Sequence, residues 1–133
     1  MRLALLLCVA LVAACAAPGN TTGRAESTGI VIQGIVIRNE LAFPVTDVRI
    51  DVPATGDFAG CGNILGGTEC RTSIEAVDYR ANAVIISWKE YGTPHQTGEF
   101  VIRVPDHLDP ARPAWVEVII FAMGQAGARL IQK

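Results

Sequence analysis

Four cysteines and two histidines are the residues of this 133-residue chain best suited to chemistry, and their spacing decides which chemistry is open. Cys61, Cys70, His95 and His107 form a nominal four-ligand set. Structural zinc sites, however, set their cysteines about two to four residues apart and their histidines about three to five apart. Here eight residues separate the cysteines and eleven the histidines, so no metal centre and no cofactor is expected. Nucleophilic catalysis needs a Ser or Cys, a histidine base and an orienting carboxylate. Asp106-His107-Leu108-Asp109 is the one dense titratable cluster, and no G-x-S-x-G elbow accompanies it. In a proline-bounded loop, aspartates flanking a histidine are turn and cap chemistry, because their side chains bond nearby backbone N–H groups. A hydrolase using His107 is therefore the enzyme-class rival, and no catalytic residue is assigned. Gly60-Cys61-Gly62 and Gly66-Gly67 lack the lysine and following helix of a phosphate-binding loop.

The amino terminus carries a different chemistry. Met1-Arg2 supplies one positive charge, Leu3 to Ala14 is unbroken apolar sequence, and Cys15 follows, which is the layout of a secretory signal. Twelve apolar residues ahead of Pro18 and Gly19 fall short of the roughly 20 that a membrane-spanning helix needs. Val12-Ala13-Ala14-Cys15 resembles the bacterial lipobox, whose cysteine is lipidated and becomes the first residue of the mature chain. Leu7 before Cys8 is too bulky for the same role, which sets the register at Cys15; the alternative is an ordinary secretory signal cut near Ala17. The resemblance implies a signal peptide over residues 1–14, a palmitate-type acyl anchor in the lipid bilayer at Cys15, and a cell-envelope location. Ala16, similar to the sorting residue of envelope lipoproteins, implies the periplasmic face of the outer membrane. Residues 15–28, rich in Thr, Gly and Ala without apolar periodicity, read as a tether, reaching at most about 45 Å and roughly 20 Å on average.

In that compartment thiols are oxidised, and with Cys15 acylated the two cysteines left in the mature chain are Cys61 and Cys70. A disulfide between them ties the Gly-rich segment CGNILGGTEC into a ring of ten residues, for about 2.7 kcal/mol on the chain-entropy model. Ile64 and Leu65 lie amid its glycines: exposed, they mark a partner, and docked, they join the core. Tyr91 and His95, beside Pro94 in a connection, are the second candidate binding tip.

Behind these residues stands the scaffold. Hydrophobic residues make up 50% and charged residues 18%, but the mean hydropathy of +0.35 is inflated by the leader. Lys and Arg number 11 and Asp and Glu 13, without the basic clusters of a nucleic-acid-binding surface. No nucleic-acid or small-molecule partner is implied. Gly29 to Arg38 is Ile- and Val-rich on both faces, as in a strand covered on both sides, with Gly34 a bulge or close-approach point. Val48, Ile50 and Val52 alternate with Asp47, Arg49 and Asp51, and Val84, Ile86 and Trp88 with Ser87 and Lys89. Further strands are expected at Glu69 to Val77, Glu99 to Val104, Ala114 to Met123 and Ala128 to Gln132. The spacing predicts hairpins between the strands ending at Tyr91 and beginning at Glu99, and across Gly124 to Gly127. Trp88, Phe100, Trp115 and Phe121 are expected in the core, and Pro105 to Pro113 must be a crossover.

About seven short strands over residues 29–133 predict an all-β, single immunoglobulin-like β-sandwich. Gly34 to Asn39, followed by Phe43-Pro44-Val45 and Val48-Arg49-Ile50, resembles the opening hairpin of small immunoglobulin-like and fibronectin-like envelope domains, including the FxLYD group, although the FxLYD signature is absent. The resemblance implies architecture and carries no activity. The function expected is that of a lipid-anchored binding or assembly module that takes another envelope protein. The alternative is an inhibitor that inserts the Cys61–Cys70 loop into an incoming hydrolase.

Overall fold

The computed structural model describes residues 26–133; Cys15, the signal peptide and most of the tether lie outside the described residues. Nine strands form: β1 (Val31–Asn39), β2 (Val45–Val52), β3 (Asp57–Cys61), β4 (Glu69–Asp78), β5 (Ala83–Glu90), β6 (Thr93–Gln96), β7 (Phe100–Val101), β8 (Ala114–Ala122) and β9 (Gln125–Ile131). They build the expected all-β sandwich, with one sheet in the order β4-β1-β8-β9 and the other in the order β3-β2-β5-β6, β7 also pairing with β5. The pair β1–β8 is parallel, and the other pairs are antiparallel.

The period-two patterns explain the packing. Val48 and Ile50 of β2 and Val84, Ile86 and Trp88 of β5 are buried between the sheets, opposite Ile35 and Ile37 of β1 and Val116, Val118 and Ile120 of β8. Burying each such side chain contributes about 1.5 to 3 kcal/mol. Strand β1 is covered on both faces, since Val36, pointing away from this core, is also buried. Gly34 is both a bulge and a close approach: the β1 register shifts there, and any Cβ would strike the Trp115 ring.

Four expectations need correction. The strand count is nine rather than seven, because Asp57–Cys61 pairs with β2 and Thr93–Gln96 pairs with β5. The broad hairpin from β5 to Glu99 is accordingly replaced by a two-residue turn at Tyr91-Gly92, and only Phe100–Val101 of the later run pairs with β5. The opening hairpin does not form, since β1 and β2 lie in different sheets. Phe121 is not core: it is 50% exposed, at a register shift in β8 where it nears Gly127. Trp115 and Phe100 are half-buried.

The ends of the sandwich differ. At one, the chain arrives through Ser27, whose hydroxyl donates to Asp78 (2.8 Å), and Thr28, whose N–H donates to the Tyr79 carbonyl (3.1 Å). At the other lie the connections 40–44, 62–68, 91–92 and 123–124. Val45 pairs with both Glu90 and Ile64, and the Glu40 N–H donates to the Ile120 carbonyl (2.9 Å). The nine residues of β1 at about 3.3 Å each separate the two ends by roughly 30 Å.

Candidate functional site

The loop end is organised by Asn39, the last residue of β1 and 1% exposed. Its Nδ2 donates to the carbonyls of Phe43 (2.8 Å) and Ile64 (3.0 Å), and its Oδ1 accepts from the Leu41 N–H (3.0 Å). One amide thus binds the 40–44 connection to the 62–68 loop. Gly66 allows that fit, because a Cβ there would lie 2.6 Å from the Ala42 carbonyl carbon. Cys61 and Cys70 are disulfide-bonded with Cα atoms 6.4 Å apart, which joins β3 of one sheet to β4 of the other.

Within this ring Ile64 and Leu65 separate. Ile64 is 2% exposed, and its backbone exchanges two hydrogen bonds with Val45 (2.9 and 3.0 Å). Ile64 is thereby corrected from a partner-binding candidate to a core residue, since that bridge turns its side chain inward. Leu65, on the opposite side of the chain, is 63% exposed.

Tyr91 is 78% exposed and stacks on Phe43, with ring centroids 4.6 Å apart. Its φ is +48° and that of Gly92 is +79°, the pair of positive angles that a two-residue type I′ hairpin requires. A non-glycine residue in the left-handed region costs about 1 to 2 kcal/mol, so the aromatic side chain is held here against a conformational penalty. In the neighbouring turn Met123 is 68% exposed and Gly124 has φ +67°. Phe43 and Met123 join the candidates only in the folded chain; their one local signal is their place beside turn residues, Pro44 and Gly124.

His95 is not at a loop tip. It lies on β6, pairs with Trp88 and stacks on it (centroids 5.8 Å, planes 24° apart), half-buried. Nearby, Glu90 is 3% exposed; its Oε1 accepts from Trp88 Nε1 (2.9 Å) and from the Gly124 N–H (2.8 Å). Burial pushes the Glu90 carboxyl up, but those two hydrogen bonds and the positive charge available on His95 outweigh it, so its pKa lies below the usual carboxylate range. Asp47, at a register shift in β2 with φ +50°, pairs with Lys89 at 2.9 Å.

His107 is exposed in the β7–β8 connection, away from His95. Asp109 beside it serves the turn, accepting from the Ala111 N–H (2.9 Å) through Oδ1 and from the Arg112 N–H (3.1 Å) through its carbonyl. No group of three or more His, Cys, Asp or Glu among the described residues is placed to hold a metal ion. Two solvent-open hollows flank the loop end, one of about 670 Å³ bordered by Arg38, Glu40 and Glu69, the other of about 520 Å³ bordered by Asp47, Lys89 and His95. The chain matches no family model, no curated protein and no solved structure. The site is thus an apolar and aromatic tip made by Leu65, Tyr91, Phe43 and Met123, held by covalent, backbone and amide contacts beneath it.

Proposed function

We propose that this chain is a lipid-anchored cell-envelope binding or assembly module, without chemistry of its own, that takes another envelope protein on its loop end. The observation that carries this reading is the gathering of Leu65, Tyr91 and Met123, all more than 60% exposed, at the end opposite the one where the chain enters from Cys15. Such a cluster costs solubility without adding stability, and interfaces favour aromatic residues and Met. An acylated Cys15 would hold the domain by the end that lies roughly 30 Å from the tip, with the tether leaving the tip free to meet a partner. In a two-membrane cell the anchor is assigned to the periplasmic face of the outer membrane.

The second reading, an inhibitor of an incoming hydrolase, draws on the tied loop. The disulfide, the Asn39 bonds and the docked Ile64 fix the backbone under Leu65, which lowers the cost of inserting that side chain into a cleft.

Site-specific photocrosslinking in cells tests both. A crosslinking residue at Leu65, Tyr91 or Met123 should capture one and the same envelope protein, while one at Val101 or Val31, at the opposite end, captures none. A secreted hydrolase captured only from Leu65 favours the inhibitor, and equal yields from both ends overturn the assignment of the tip.

A further inference from the structure

One oxygen of Glu90 is bare. Among the described residues its Oε2 is the one buried side-chain oxygen or nitrogen without a hydrogen-bond partner, and leaving such an atom unmet in a low-dielectric interior is costly. Its companion Oε1, by accepting from Trp88 Nε1 and the Gly124 N–H, ties the end of β5 in one sheet to the β8–β9 turn in the other. The group facing the bare oxygen is Nε2 of His95, at 3.5 Å. That imidazole is already held in place: it stacks on Trp88, and its Nδ1 lies 3.4 Å from where a Cβ on Gly124 would sit.

We propose that His95 is a proton-operated latch: as imidazolium it closes onto the free Glu90 oxygen, draws the β6 edge against the β8–β9 turn, and stiffens the loop end that carries Tyr91 and Met123. The consequence for recognition rests on the binding reading above, whereas the latch stands on the geometry of Glu90, His95 and Gly124.

The charges around the pair are few. On β5 the other titratable group nearby, Lys89, borders the same hollow as His95 and is paired there with Asp47 of β2, so that hollow carries a compensated pair. The rest of β6 and the Met123-Gly124 turn bring no titratable side chain, and Tyr91 in the β5–β6 turn is exposed. One carboxylate therefore faces the imidazole, and the sign of the effect follows. Imidazoles gain their charge between about pH 8 and 5. Glu90, held below the usual carboxylate range, stays ionised across that window. The latch is present at the acidic end of the window and is lost as pH rises through it. It is lost again where Glu90 itself takes a proton, below the usual carboxylate range.

The test is the thermal midpoint of the full chain in detergent from pH 8 to pH 5, wild type against His95→Gln, with crosslinking from Met123 in the same pH series. The wild type should gain on the variant by about 3 to 5 °C as pH falls, the gap closing at pH 8. Glu90→Gln, which keeps an acceptor for Trp88 and Gly124 but removes the charge, should abolish the pH-dependent part; should that variant not fold, His95→Gln decides alone. A gap that is the same at every pH overturns the latch, whatever the crosslinking shows. A gap that follows pH with no partner captured at either extreme upholds the latch and overturns the binding reading instead.

Discussion

The ring of Phe43 lies on the ring of Tyr91, with centroids 4.6 Å apart and planes inclined by 28°, so a residue of the β1–β2 connection props the tip of the β5–β6 turn. The contact offsets the left-handed backbone at Tyr91. An aromatic pair contributes about 0.5 to 1.5 kcal/mol beyond its area, and the positive φ costs about 1 to 2. Tyr91→Gly should therefore change unfolding free energy in urea by less than about 1 kcal/mol while lowering crosslinked partner by several-fold. A large loss of stability would show that the stack is structural.

Neighbouring residues of the disulfide ring should respond oppositely. Leu65→Asp should leave the thermal midpoint within about 2 °C, as surface changes do, and weaken partner capture. Ile64→Ala should cost about 2 to 5 kcal/mol by opening a cavity. Denaturant curves of the two variants check the difference, and a destabilised Leu65→Asp removes Leu65 from the site.

Asn39→Ala strands the Phe43 carbonyl and the Leu41 N–H and leaves the Ile64 carbonyl with the Val45 N–H as its remaining donor. Unmet buried groups cost about 1 to 3 kcal/mol each; with some relief by water, a total of about 3 kcal/mol is expected from urea unfolding.

Two groups shape the pH limits of stability. The Glu90 pKa is depressed in the folded chain, so its contribution is fully present above the unfolded carboxylate value of about 4.3 and is lost as pH falls through the folded value. Burial pushes Tyr79 up to about 12. Its contribution is present below the ordinary tyrosine value of about 10 and is lost as pH rises through about 12. Midpoints measured against pH should show a weaker acid limb in Glu90→Gln and a weaker alkaline limb in Tyr79→Phe.

Cys15→Ser should move the protein from the membrane fraction to the soluble one. Mass spectrometry showing an unmodified Cys15, or a mature chain that begins at Pro18, would remove the lipid anchor from the proposal.

What could be read from the sequence was local. The alternation of Val48 and Ile50 with Arg49, or of Ile86 and Trp88 with Ser87, states a strand and its inner face, and both settle as expected. Strand β6 was hidden because Thr-Pro-His-Gln has no apolar alternation; it survives at an edge, where Pro94 has no inner ladder to break. Strand β3 was hidden for a related reason, since Asp57 and Gly60 are poor strand formers and are held by pairing with β2 and by the disulfide at Cys61. The division of β1 and β2 between sheets is a long-range fact that no short window contains. So is the choice of Ile64 over Leu65 for the core, which depends on Val45 and Asn39. At the site, Leu65 and Tyr91 were legible as apolar residues among turn formers, but the role of Glu90 depends on Gly124, in a turn of the other sheet.

The parallel pairing of β1 with β8 also sets when this domain can come into being. Arg38 meets Glu117 across 79 residues of chain, and the two strands are the inner pair of their sheet. A chain still emerging from a ribosome or a translocation channel can close the β2–β3 and β5–β6 hairpins early, but β1 has no inner neighbour until β8 arrives. Loop closure over so long a span is slow, as in other domains of high contact order. The nascent chain therefore carries β1 paired at most on its β4 edge until residues 114–122 are delivered, an interval in which a chaperone or an aggregate can claim the open edge beside Ile35, Val36 and Ile37.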